Sequence, residues 1–133
     1  MRAILLALSF ALAPVAAHAL EPSDVLGRWD TQWSNQAGQP VSGGAPMNIS
    51  LDSPDALDGT WPSPGPDGVI HGETRRDANG SLVWSGTWAT VWPEGVTRGT
   101  FQFVFTDADT FTGTWSSNDG AVVNAAWNGR RLN

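Results

Sequence analysis

The residues of this chain best equipped to recognise another molecule are its eight tryptophans. An indole offers a broad apolar face and a single N–H donor, the combination with which small-molecule pockets stack on and orient a flat or apolar ligand. Trp33, Trp61, Trp88 and Trp92 fall at strand ends or in a loop rather than mid-strand, and they are the expected ligand-binding residues. The competing role of an indole is structural, since a small domain without disulfides must fill its interior with large side chains. The two roles are compatible.

Other residue types point to chemistry less strongly. Alternation places Val69, His71, Glu73 and Arg75 on one strand face, which reads either as a His–carboxylate–Arg acid–base site or as a solvated row of cross-strand ion pairs. The second is the ordinary role of such a row. Serines and aspartates are plentiful, but no nucleophile signature accompanies them, so no catalytic residue is expected. Asp52, Asp55 and Asp58, and separately Asp107 and Asp109, invite a calcium reading. The three-residue spacing of the first group does not match the one-three-five ligand pattern of a calcium loop, and aspartates in turns usually bind the local backbone. No metal ligand and no cofactor is therefore expected. Arg130 and Arg131 are expected to close the last strand by pairing with acidic residues.

These side chains must be positioned by a repeated element. An apolar residue, any residue, Gly, any residue and then usually an aromatic recurs at Val25-Gly27-Trp29, Leu57-Gly59-Trp61, Trp84-Gly86-Trp88 and Phe111-Gly113-Trp115, with weaker copies around Gly72, Gly99 and Gly129. Gly59, Gly86 and Gly113 follow one another at intervals of 27 residues, as do Gly72 and Gly99, so the unit is two strands and two turns. Within each copy apolar residues alternate with the two-residue period of a half-buried strand. Met47, Ile49, Leu51, Trp84, Trp88, Phe101, Phe103, Phe105, Val123, Ala125 and Trp127 are expected to point inward; Asn48, Ser50, Val83, Ser85, Thr87, Gln102, Asn124 and Ala126 are expected to point out. Turn formers separate the copies, among them 53–55, 64–68, 77–80, 93–95 and 117–120.

Eight strands result, at 25–33, 46–51, 57–61, 69–76, 81–90, 97–105, 110–116 and 121–131. Eight antiparallel strands in sequence order close most simply into an all-β up-and-down barrel, which leaves no exposed sheet edge. An inward Gly between two large residues then lets a strand bend and makes room for an indole from its neighbour.

The first 19 residues read as a secretory signal peptide: Arg2, an apolar run over 3–13, Pro14, and Ala17-His18-Ala19 before the cut. One barrel domain over 20–133 is expected to follow, located in the bacterial periplasm or outside the cell and not inserted in a membrane after cleavage. The chain contains no Cys, so neither disulfides nor thiol chemistry support it. Without Arg2, six Arg face thirteen Asp and Glu, and a net charge of −7 argues against nucleic acid as partner.

Two families meet at these motifs. Trp33-Ser34-Asn35-Gln36-Ala37-Gly38 resembles the Trp-x-Asn-x-x-Gly opening of the avidin family, exported eight-stranded barrels that bind biotin. The similarity continues through Leu57-Asp58-Gly59-Thr60-Trp61, Trp84-Ser85-Gly86-Thr87-Trp88 and Phe111-Thr112-Gly113-Thr114-Trp115 to Asn124-Ala125-Ala126-Trp127. This implies an avidin-like or lipocalin-like barrel. Gly27-Arg28-Trp29 lies four residues before Trp33, so one indole alone can take the family position, and the resemblance carries the fold rather than biotin. The stretch from Trp84 to Trp115, with Arg98-Gly99-Thr100-Phe101 as a second strand, also resembles MORN repeats, which form an open sheet of hairpins.

The expectation for function is an exported, non-enzymatic binding or accessory protein that takes a small apolar or aromatic ligand in a Trp-lined barrel mouth. The alternatives are an envelope interaction module using Trp92, Val83 and Val91 on an outer face, and a small periplasmic enzyme using His71 with carboxylates. Oligomerisation is compatible with each.

Overall fold

Alternation carried through eight strands gives each an inward apolar row, and in the computed structural model a closed sheet buries these rows together. The structure describes residues 19–41, 46–61 and 67–132. The expected signal peptide lies, up to His18, outside the described residues, as does most of the turn expected at 64–68.

All eight expected strands form: β1 (Gly27–Ser34), β3 (Met47–Ser53), β4 (Ala56–Trp61), β5 (Asp67–Arg76), β6 (Leu82–Trp92), β7 (Gly95–Asp107), β8 (Thr110–Ser117) and β9 (Ala125–Arg131). A two-residue strand, β2 (Pro40–Val41), is an addition the alternation does not reveal. From β3 to β9 each strand pairs antiparallel with the next in sequence. One edge of β1 is shared by β3, through Gly27↔Ile49, and by β2, through Ser34↔Pro40. The other edge pairs with β9, from Trp29↔Arg131 to Trp33↔Trp127. That last pairing closes an eight-stranded meander barrel and rules out the open MORN-like sheet.

The interior is aromatic. Trp29, Trp84, Phe103, Phe105 and Phe111 are fully buried, joined by Met47, Leu57 and Ile70. Phe103 and Phe111 stack at 4.1 Å, and Trp84 meets Phe101 and Phe103 edge-on at 5.0 and 5.5 Å. Each such phenyl ring contributes about 1.5–3 kcal/mol through burial, before the further gain of ring geometry. Glycines supply the seats. A β-carbon on Gly129 would collide with the Phe111 ring, one on Gly68 with the Trp61 indole, and one on Gly99 would lie 2.5 Å from Trp88 Nε1.

Four expectations are corrected at the strand ends and on the outer face. Val25 does not open β1; it ends a single 3-10 turn, η1 (Pro22–Val25), started by Pro22 and by the reciprocal Glu21–Asp24 capping pair. Its side chain is fully buried at the barrel end, and its carbonyl accepts the Trp29 indole N–H at 2.9 Å. Leu51 is 45 % exposed, because β3 runs past its last pair with β1 and bulges between Leu51 and Ser53. β9 begins at Ala125 rather than 121, since Asn124 has φ 52° and the N–H groups of Val123 and Asn124 go to the side chains of Gln36 and Ser116 instead of to a ladder. Val123 is consequently exposed. Val83, expected outside and free, is only 1 % exposed. Its cross-strand partners are Arg75 on β5 and Val104 on β7, and Arg75 reaches across β6 to Gln102.

Candidate ligand site at the indole-rich end of the barrel

The two barrel ends differ in chemistry. One holds η1 and Arg131. The other receives the ends of β1 and β4, the upper part of β6 and β8, and the start of β9, which carry Trp33, Trp61, Trp88, Trp115 and Trp127 respectively. Trp33 and Trp127 are direct partners across the β1–β9 seam. Trp115 stands between Trp33 and Trp88, edge-on to both at 5.3 and 5.6 Å. Trp127 meets Trp61 at 5.7 Å and Phe103 at 5.1 Å.

The indole N–H groups separate the five further. Trp115 donates to the Ser34 carbonyl at 2.9 Å and Trp88 to the Ser116 carbonyl at 3.1 Å, which pins both rings to the wall. Trp127 Nε1 is buried and has no hydrogen-bond partner among the described residues. A buried donor left unpaired costs about 1–3 kcal/mol, so an acceptor brought to it would be well rewarded.

Of the four residues expected to bind ligand, three gather here. Trp33 and Trp61 are half-buried and pack on the core, whereas Trp88 is buried. Trp92 is separate. It stands on the β6–β7 hairpin beyond the last β5 pair, Asp67↔Val91, is 39 % exposed, and donates to the Thr97 hydroxyl at 3.0 Å. A shallow depression lies beside it, lined by Glu94, Gly95, Val96 and Thr97. Trp115 and Trp127 belong to the indole cluster although they were not among the four. Alternation marks both as inward, but only the β7–β8 and β9–β1 registers bring them to this end.

The outer-face row behaves as a solvated strand face with one exception. His71 pairs with Asp58 across β4 and β5, and its Nδ1 lies 2.5 Å from Asp58 Oδ1, with the two side chains 56 % and 41 % exposed. The Asp58 hydrogen bond, helped by the charges of Asp58, Asp52 and Glu73 and opposed by slight desolvation, raises His71 above the ordinary histidine value of 6.5. Imidazolium is thereby favoured in the folded state. Its small contribution to stability is complete below the unfolded pKa and is lost as pH rises through the folded midpoint. An NMR titration of the His71 ring should give a midpoint above 6.5, and Asp58→Asn should bring it back toward that value; equal midpoints would remove the pair from consideration.

Several other aspartates serve turns and strand ends. Asp107 accepts from the Asp109 N–H at 2.7 Å and the Thr110 hydroxyl at 3.0 Å, and these bonds hold its carboxyl below the usual range. Asp119, bonded by the Ser117 hydroxyl and the Ala121 N–H, is lowered for the same reason. Asp55 contributes its carbonyl to Thr74. Arg131 pairs with Asp109 at 3.1 Å, as the expected closure of the last strand requires.

The fold defines a class, the closed eight-stranded meander barrels. No family model and no curated protein matches the chain. Among solved structures it is similar to a redesigned beta barrel, with TM-score 0.68 and 17 % identity over 85 % of this chain and 96 % of that one. It is similar also to a second redesigned beta barrel, mFAP1, bound to DFHBI, with TM-score 0.59 and 17 % identity over 84 % of this chain and 98 % of that one. At this identity the likeness establishes the fold.

Proposed function

We propose that the protein is an exported, non-enzymatic binding protein that takes a small planar or apolar ligand among Trp33, Trp61, Trp88, Trp115 and Trp127. The observation that carries this reading is the concentration of five indoles at one barrel end, one of them with a buried N–H that has no partner among the described residues. Stacking faces would hold the ligand, and the Trp127 N–H would select an acceptor on it. The similar barrel mFAP1, bound to DFHBI, supports small-ligand binding by this architecture. Export rests on the leader pattern of residues 1–19, and the periplasm or the exterior is the location that pattern favours.

Titration of intrinsic fluorescence with planar aromatic ligands, DFHBI among them, tests the site. Saturable quenching at one ligand per chain is expected for at least one of them. Trp127→Phe keeps an apolar ring and removes the donor, so ligands bearing an acceptor should bind about tenfold more weakly, the equivalent of one net hydrogen bond. Unchanged emission across the whole panel would leave the indoles with a packing role alone.

A second reading rests on a different observation. Val91, Trp92 and Val96 on the projecting β6–β7 hairpin are 53, 39 and 48 % exposed, which suits a handle for an envelope protein, although the burial of Val83 removes it from that surface. Co-purification lost in a Val91→Ser, Val96→Ser double variant that still binds ligand would favour it.

A further inference from the structure

We propose that Asp52, Asp58 and His71 form a site for a divalent transition ion of the Zn2+ type on the outer face of the barrel. The three residues come from three adjacent strands, β3, β4 and β5. Asp58 and His71 are direct cross-strand partners. Asp52 lies on the outward row of β3, two residues beyond Ser50, which is the cross-strand partner of Asp58, and next to the irregularity between Leu51 and Ser53. One ligating atom from each residue lies within 4.8 Å of the other two.

Zn2+ bound at about 2.0–2.2 Å by nitrogen and carboxylate oxygen needs its ligand atoms roughly 3.4 Å apart. The His71–Asp58 contact of 2.5 Å must therefore open by somewhat less than an ångström, while the Asp52 oxygen, already within 4.8 Å of both, settles to the same spacing. Side-chain torsions supply this movement, because all three side chains are solvent-accessible while their backbones are held in the sheet. Charge fits as well. Two carboxylates balance the dication, the imidazole enters as a neutral ligand, and Glu73 adds negative charge two residues along β5. Three protein ligands leave a fourth, open position for water.

The donor set separates this ion class from calcium. Ca2+ takes six to eight oxygens, whereas an imidazole beside two carboxylates suits Zn2+ and its first-row neighbours. The site shares no residue with the indole cluster, so it stands or falls independently of ligand binding there.

Calorimetric titration of the untagged protein with Zn2+ is the test. One ion per chain is expected, with no comparable heat from Ca2+. Loss of an outer hydrogen-bond partner alone weakens metal sites 10- to 100-fold, so His71→Ala, Asp58→Asn and Asp52→Asn should each weaken binding by at least about tenfold. Zn2+ should also shift the NMR signals of the His71 ring and of the amides around Asp52 and Asp58. The substitutions lie on exposed side chains, and unchanged circular dichroism will establish that each variant folds. Absence of one-to-one Zn2+ binding would overturn the proposal, as would binding that survives both His71→Ala and Asp58→Asn.

Discussion

Replacing Gly72 by alanine should destabilise the barrel by about 3 kcal/mol or more, a large part of the 5–15 kcal/mol that holds a domain of this kind together. Gly72 on β5 lies directly opposite Gly86 on β6. A β-carbon at Gly72 would collide with the Ser85 carbonyl oxygen, and would lie 2.5 Å from the Ser85 carbonyl carbon and 3.0 Å from Gly86 Cα. At Gly86 it would collide with the His71 carbonyl oxygen and lie 2.6 Å from Gly72 Cα. Every obstructing atom is backbone, so no side chain can turn aside. The strands would have to separate, straining the ladder and the 3.1 Å bond from the Trp84 indole to the Gly72 carbonyl.

The comparison that isolates this effect is Gly80→Ala. Gly80 has open space around its missing side chain but φ +79°, so alanine there pays only backbone strain of about 1–3 kcal/mol. Thermal melts should show Gly72→Ala falling by more than about 12 °C, at 4–8 °C per kcal/mol, and Gly80→Ala by less. Equal melting points would mean that the two strands part easily, and the close approach would lose its structural weight.

Arg131→Ala should cost about 3 kcal/mol, although the residue is the third from the end of the chain. Its guanidinium donates to the carbonyls of Leu26 at 2.5 Å, Asp24 at 2.5 Å and Ala108 at 2.8 Å, pairs with Asp109, and sits 5.0 Å from the Trp29 ring. One planar group thus ties η1, the β7–β8 turn and the first core indole to β9. Alanine leaves carbonyls without their donor and uncovers Trp29. Lysine should recover less than half of the loss, because a single ammonium cannot reach these diverging acceptors together. Urea denaturation should show a lower midpoint with unchanged slope. A variant within about 0.5 kcal/mol of wild type, the range of an ordinary surface substitution, would show that water replaces these bonds without penalty.

The strands were legible because each carries its own signature. Period-two alternation, turn residues and the repeated Gly locate all eight within a few residues, and edge protection favours closing them. Trp33 and Trp61 do stand at the ends of β1 and β4, whereas Trp88 lies inside β6; the three nevertheless gather at one end of the barrel. What escaped depends on register or on backbone atoms, neither of which leaves a mark on residue types. Trp115 and Trp127 reach the indole cluster only through the pairing of β8 and β9 with their neighbours. Arg131 was expected to find an acid, and does, but most of its bonds go to carbonyls. Asp52, Asp58 and His71 converge through the register of β3, β4 and β5, which spacing along the chain does not encode. Val83 follows the outward parity yet is buried between its partners Arg75 and Val104, an outer-face packing that alternation does not reveal. Asn124 breaks β9 by adopting a left-handed conformation that asparagine tolerates and that alternation ignores.

The β1–β9 seam has a consequence for how the molecule is made. Its contacts join positions far apart in the chain, and beside it the Arg131–Leu26 bond links residues 105 positions apart. Bringing such ends together is an entropic cost met before any contact returns energy, and chains dominated by distant pairings fold in milliseconds to seconds rather than microseconds. Until β9 arrives, β1 and β8 are both raw edges able to capture a strand of another molecule. The last seven-residue strand therefore acts as a seal, and a chain cut before Ala125 would be left as a sticky, unfinished sheet prone to aggregate.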